Sequence, residues 1–186
     1  LAGGRGERLR REVNKVYLPV AGREIIEFSL STFVASPLVE GIVVVARHQD
    51  VDHLRSLLAS IEKPVEVVEG GATRHQSEHR GIAAAVRAGR AEWVAVHDGA
   101  RPFITHDLLD AIAAEAERRG GAIPVVPVAG PLYQSGERGV ELLDTASVRR
   151  AQTPQIFRAE QLWAGFRAAE EAGFEGVDTA ETVERF

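Results

Sequence analysis

The residues best equipped for chemistry crowd into the first fifteen positions. Leu1-Ala2-Gly3-Gly4-Arg5-Gly6-Glu7-Arg8-Leu9 is followed, after a short gap, by Asn14-Lys15. Glycines let backbone N–H groups approach a ligand without an intervening side chain. Successive N–H groups in such a turn form a concavity that binds anions. Ala2, Gly3, Gly4 and Gly6 would supply that backbone. Arg8 would add a planar fork for phosphate oxygens and Lys15 a compact point charge. Glu7-Arg8-Leu9 could open a helix, whose N-terminus also favours phosphate. The stretch is not a P-loop, since no Gly-Lys-Ser/Thr follows, and it lacks the spacing of a dinucleotide fingerprint. Taken alone, it also fits a plain surface turn.

Three more segments carry reactive or binding groups. The first is Gly70-Gly71-Ala72-Thr73-Arg74-His75-Gln76-Ser77, where Ser77 could also sit in the capped first turn of a helix. The second is Val96-His97-Asp98-Gly99-Ala100-Arg101-Pro102. A carboxylate and a guanidinium three residues apart can face an incoming phosphate and Mg²⁺, and they can equally form a local salt bridge that fixes a turn. His97 reads as a packed neighbour of this pair rather than a general base. The third is Gln152-Thr153-Pro154-Gln155-Ile156-Phe157, which on its own fits a Thr-Pro turn leading into a helix. Asp178 fits a site carboxylate and a helix N-cap equally.

The elements that must position these groups alternate. Gly41–Ala46 and Trp93–Val96 are continuous apolar runs, as expected of strands buried on both faces. Val65–Val68 is a shorter strand, and Ile123–Val128 another. Between them, apolar residues recur at helical spacing over 24–35, 51–61, 75–88 and around 108–116, then again over 159–172 and 179–186. This alternation predicts a doubly wound α/β fold, a mostly parallel sheet with helices on both faces. The polar motifs fall at the carboxyl ends of the strands, where such sheets bind ligands. Leu132–Gln134 and Val140–Leu143 interrupt the rhythm and predict a hairpin with a five-residue loop, Ser135–Gly139. It should project as an arm over about 132–147, from a single domain spanning 1–186. Val148–Ala151 should return to the sheet.

Composition narrows the partners. The chain has 186 residues, is 45% hydrophobic and carries a net charge of −5, so a nucleic-acid surface is not expected and anions must be held by local clusters. It has no cysteine, which excludes disulfide chemistry and zinc bound through sulfur. No apolar run reaches membrane-spanning length and no signal peptide is visible, so a cytoplasmic location is expected. Lys15 and Lys63 are the only lysines among 22 Lys and Arg residues, which makes a lysine beside the glycine stretch informative.

Leu1–Leu9 together with Asn14-Lys15-Val16-Tyr17-Leu18-Pro19-Val20-Ala21-Gly22 resembles the nucleotidyltransferases that make NDP-alcohols and NDP-sugars. Their pattern is roughly L-A-G-G-x-G-x-R-L, then P-K-x-x-L-P-V-x-G. The segments at 70–77, 96–102 and 152–157 are similar to G-G-x-x-R-x-x-S, V-H-D-A-A-R-P and Q-T-P-Q-x-F. They belong to one branch, the cytidylyltransferase family of the non-mevalonate isoprenoid pathway, which joins CTP to 2-C-methyl-D-erythritol 4-phosphate. The resemblance runs through nearly the whole chain. It implies a Rossmann-like fold, Mg²⁺ as cofactor, and CTP and a polyol phosphate as substrates. It also implies a homodimer in which the hairpin arm swaps across a two-fold axis. It assigns catalysis to Arg8 and Lys15. It assigns the cytosine edge to Gly71, Ala72 (through backbone alone) and Ser77, with Arg74 bracing the loop. It assigns substrate contacts to Asp98, Arg101 and Thr153, with Asp98 also the expected metal ligand.

The sequence departs from that pattern in places. Asn14 stands where most of the family has proline. The family's D-T pair at the start of the hairpin is unmatched, the nearest residues being Gly130-Pro131 and Asp144-Thr145, so Arg149 or Arg150 would have to hold the acceptor phosphate. The family also carries a strand before the position of Leu1 and a C-terminal strand with a lysine motif. Ribitol-5-phosphate cytidylyltransferase and sugar-1-phosphate nucleotidyltransferases share the motifs. A non-catalytic nucleotide-binding regulatory subunit would be expected to have lost Arg8 or Lys15, and this chain keeps both.

Overall fold

The computed structural model describes residues 1–3, 14–87, 89, 91–136 and 139–186. After the short 3-10 turn Lys15–Tyr17 come β1 (Pro19–Val20) and β2 (Arg23–Glu24). They are joined by Ala21 and Gly22, both at positive φ, as the tight turn of a two-residue hairpin requires. Helix α1 (Ile25–Ala35) starts where Glu27 reaches back to the Glu24 N–H. Then follow β3 (Ile42–Ala46), α2 (Val51–Leu58), β4 (Val65–Glu69), α3 (Arg74–Arg87), β5 (Trp93–Val96) and α4 (His106–Arg119). Thr105 caps α4, and Gly120 ends it in the left-handed region.

β3 and β4 pair in parallel, Ile42 opposite Val65 through Ala46 opposite Glu69. Residues Leu1 and Ala2 tie this pair to β5. Ala2 N–H donates to Val45 O, while Gly99 N–H donates to Leu1 O and Leu1 N to His97 O. The last two bonds form the staggered pattern of a parallel bridge. Leu1 and Ala2 therefore lie between the carboxyl ends of β3 and β5.

Side-chain alternation sends helices to both faces. Val44 and Ala46 pack with α1 and α2, around Ile26, Leu30, Leu54 and Leu58. Val45 points the other way, against Gly81 of α3. Ile156 packs with α4 around Leu109, Ile112 and Ala116, while its neighbour Phe157 joins Ile82 of α3 and Leu162 and Phe166 of the later helix α5 (Ala159–Glu171). The doubly wound expectation holds.

The second half of the sheet differs from the parallel order expected. The strand expected at 123–128 is two pieces, β6 (Gly121–Ala122) and β7 (Val125–Pro127). The hairpin strands are β8 (Leu132–Gly136) and β9 (Gly139–Leu143). Their register runs from Leu132 opposite Leu143 to Gly136 opposite Gly139, so residues expected in a five-residue loop are strand. β10 (Arg149–Ala151) pairs antiparallel with β7, and β11 (Gln155–Arg158) inserts antiparallel between β5 and β6. The Gln152–Phe157 motif thus leads into a strand before any helix. The reversal has a topological cause. The chain comes back from its hairpin excursion at the carboxyl end of β5, so it can re-enter the sheet only by running down it. α6 (Thr179–Arg185) packs on α5 and closes the described fold. No helix among the described residues is long and apolar enough to cross a membrane.

The hairpin forms a ladder of its own. Pairing of Tyr133 with Leu142 and Ser135 with Val140 puts three large apolar side chains on one face, and all three are more than half exposed.

Candidate active site

Asn14 explains how the chain does without the proline. Its φ is −64°, the value a proline ring would impose. Its side chain caps the turn Lys15–Tyr17 by accepting from Val16 N–H, and donates to Ala2 O at 2.5 Å. Asn14 is fully buried, and Val16 and Tyr17 root the turn in the core. Lys15 itself is exposed. Gly4, Gly6 and Arg8 lie outside the described residues.

At the end of β4 the second glycine pair is closed onto α3. Thr73 caps the helix by accepting from Gln76 N–H. Ser77, one turn in, donates to Thr73 O at 2.9 Å and accepts from Gly71 N–H at 3.1 Å. Ala72 N–H donates to Gln76 Oε1. The backbone N–H groups of Gly71 and Ala72 are thus already engaged, which leaves their carbonyls as the backbone groups to offer a base. Ser77 Oγ also lies 3.6 Å from where a Cβ on Gly3 would be, so the first and second motifs touch. Arg74, expected to brace this loop, makes its contacts elsewhere. Its Nε donates to Glu78 Oε1 at 2.9 Å, and its Nη2 lies 3.2 Å from Asp98 Oδ1.

Asp98 is the junction. Its Oδ2 takes the Nε of Arg101 at 2.9 Å, and Arg101 Nη1 reaches Gln152 Oε1. Burial alone would raise the Asp98 pKa, but Arg74 and Arg101 outweigh it and hold the carboxyl below its ordinary range. The expected pairing of Asp98 with Arg101 is present, and Arg74 joins it from α3.

Behind Asp98 runs a chain of hydrogen bonds with a definite sense. Asp98 N–H donates to Thr153 Oγ1, the Thr153 hydroxyl donates to His97 Nδ1, and His97 Nε2–H donates to Arg101 O. The order follows from the single N–H of a neutral imidazole. His97 is buried edge-on against Phe33, and burial pushes its pKa down to about 4. It serves as packing and support, as the sequence suggested. Thr153 would have to release His97 before it could donate to a phosphate.

As a metal site the arrangement is poorly suited. Both Asp98 oxygens already hold guanidinium groups, and among the described residues no three His, Asp or Glu side chains cluster closely enough to hold an ion. Asp178 caps α6 through Glu181 N–H and also accepts from Gln155 Nε2, so its capping role is present and ties α6 to β11. Sequence reasoning passed over Glu78, for which the Arg74–Glu78 spacing of four residues was a visible signal, and gave no role to Gln152 and Gln155, although both stand in the Gln152–Phe157 motif.

Comparison with known proteins gives a consistent result. The family described as IspD, 2-C-methyl-D-erythritol 4-phosphate cytidylyltransferase, matches residues 1–186. A 2-C-methyl-D-erythritol 4-phosphate cytidylyltransferase of Bacillus velezensis is 35% identical over 187 residues, covering 99% of this chain and 79% of that protein. The crystal structure of the enzyme of that name from Thermus thermophilus superposes with a TM-score of 0.74 at 28% identity, over 99% of this chain and 80% of that one. The 4-diphosphocytidyl-2C-methyl-D-erythritol synthase of Anaerococcus prevotii shares the fold, with a TM-score of 0.86 at 24% identity over 100% and 79% of the two chains.

The buried ring of His97 makes stability depend on pH. Its pKa is depressed in the fold from 6.5, so between pH 6.5 and about 4 the unfolded chain binds a proton that the folded chain refuses. Stability should therefore fall as pH drops through that window, by on the order of 3 kcal/mol from this group. Urea unfolding at pH 7 and pH 4.5 should show His97→Asn losing less stability on acidification than the parent protein. Equal losses would mean that His97 does not carry the effect.

Proposed function

This chain belongs to the 2-C-methyl-D-erythritol 4-phosphate cytidylyltransferase family, and from that premise we propose how its own residues carry out the reaction. It transfers CMP from CTP to 2-C-methyl-D-erythritol 4-phosphate and releases pyrophosphate. A phosphate oxygen of the acceptor attacks the α-phosphorus of CTP while the bond to pyrophosphate breaks on the opposite side. The attacking oxygen is already anionic, so no general base is needed. Catalysis is then positioning plus stabilisation of shifting negative charge.

The observation that carries this reading is the joining of all four motifs at the carboxyl ends of β3 and β5. Asn14 holds Ala2, Gly3 lies against Ser77, Arg74 reaches Asp98, and Asp98 is bound to Arg101 and Thr153. In this reading the backbone of Ala2, Gly3, Gly4 and Gly6 cradles the triphosphate, with Arg8 and Lys15 placed for the charge that develops on the α-phosphate and the departing pyrophosphate. Arg101, steadied by Asp98 and Gln152, faces the acceptor phosphate. Cytosine presents an exocyclic amine where uracil presents an oxygen, so the Gly71 and Ala72 carbonyls are the backbone groups that would prefer CTP. Ser77 would add its hydroxyl by releasing Thr73.

Enzymes of this kind use a divalent cation. Mg²⁺ prefers to keep water and phosphate oxygens as ligands, which suits a site whose carboxylate is already paired. CTP and a polyol phosphate are charged metabolites that do not cross membranes unaided, so a cytoplasmic location completes the reading. A second copy of the chain is the occupant we assign to the apolar face of the hairpin, because an isolated two-stranded ribbon is rarely stable in water.

Pyrophosphate release should be measured with CTP and a panel containing 2-C-methyl-D-erythritol 4-phosphate and ribitol 5-phosphate. The first should be turned over best, and a preference for ribitol 5-phosphate would move the chain to another acceptor. In the same assay Lys15→Ala should lower kcat by about 10²–10³, as loss of one placed charge donor does, with a much smaller change in CTP affinity. A change below about threefold, under 1 kcal/mol, would remove Lys15 from the mechanism. Sedimentation at micromolar concentration should give a dimer that Tyr133→Ser with Leu142→Ser converts to monomer, whereas a monomeric parent protein would leave the arm unpaired.

A further inference from the structure

Glu78 is the most deeply buried carboxylate among the described residues. Its side chain has no exposure. Oε1 accepts from Arg74 Nε, while Oε2 is buried beside the Thr179 hydroxyl. Burial outweighs the pull of Arg74 and pushes the carboxyl above its ordinary range. A charge sunk this far is costly. An i,i+4 ion pair on a solvated helix face would have given α3 its small benefit without that cost.

What Glu78 does achieve is control of Arg74. The guanidinium is held at two edges by groups from different elements, Nε by Glu78 within α3 and Nη2 by Asp98 at the end of β5. Arginine has a long flexible stem, and a planar fork fixed at two points is oriented in space. Nη1 has no partner among the described residues, and the Arg74 side chain remains two-fifths exposed at the mouth of the site. Asp98 alone would hold it only by a half-solvated ion pair, which fixes little.

We propose that Glu78 is a positioning residue for the nucleotide, clamping Arg74 so that its remaining donors meet the phosphates of CTP. The proposal rests on the cytidylyl-transfer reading above, and the test separates the two. Glu78→Gln keeps the shape and loses the charge. By titration calorimetry with CTP alone, it should bind the nucleotide about tenfold more weakly, the scale on which residues in contact are coupled. Its Tm should be unchanged or higher, and its kcat at saturating CTP close to that of the parent. In an Arg74→Ala background, Glu78→Gln should have no further effect on affinity. Glu78→Asp keeps the charge but falls a methylene short, and should also weaken binding. It serves for the same cycle should Glu78→Gln fail to fold. Parent-like CTP affinity in the variants, or losses from Glu78→Gln and Arg74→Ala that multiply independently, would overturn the proposal. A parent protein that does not bind CTP at all would overturn the function itself.

Discussion

One carboxylate shared between two guanidinium groups organises this molecule. Asp98 sits where β5 ends, and its two oxygens are divided between Arg74 from α3 and Arg101 from its own turn. A partly buried ion pair of this kind adds little net stability, yet removing one partner leaves the others with uncompensated charge. Its effect is on geometry. Arg74 brings the end of α3, Arg101 brings Gln152 and the return from the hairpin, and the backbone N–H of Asp98 brings Thr153. The neighbouring Gly99 fixes Leu1, where the glycine stretch begins. Segments more than a hundred residues apart in sequence are thereby held within a few ångströms.

The same cluster solves an electrostatic problem. A chain of net charge −5 repels polyanions at long range, so attraction must be local. Arg74 and Arg101 are matched by Asp98 and Glu78, but the carboxylates are the more buried partners and the guanidinium groups the more exposed ones, and Lys15 stands exposed beside the first motif. Beneath them the neutral His97 avoids adding a charge that burial would penalise, and its hydrogen bonds instead fix Thr153 and the Arg101 turn.

Much of this was legible in the sequence, for identifiable reasons. Ile42–Ala46 and Trp93–Val96 are apolar throughout because both faces of a central strand are covered, and α1 and α4 announce themselves by periodicity. β11 was not legible. It is four residues long and begins with Gln155, which is buried only because Asp178 and the Ala180 N–H satisfy its amide from α6. No local pattern encodes that. The hairpin was found but its loop misjudged, because Ser135, Gly136 and Gly139 have turn chemistry and yet pair as strand. At the site, residue types were readable from the motifs, whereas their partners were not. Arg74 was expected to brace a loop and is instead committed to two carboxylates, one of them a residue that the reading of the motifs passed over.

The ladder of β7 with β10 lies at the foot of the hairpin arm. It ties the outgoing and returning chains together before either reaches the arm, so the arm hangs from the sheet as from a clasp. Changing the length of a clasped excursion costs only a slowly growing loop entropy and leaves β11, Thr153 and the Asp98 cluster where they are. The arm can therefore be lengthened, shortened or exchanged while the cluster at the strand ends stays fixed. A lineage could rework what this arm meets without relearning the rest of the fold.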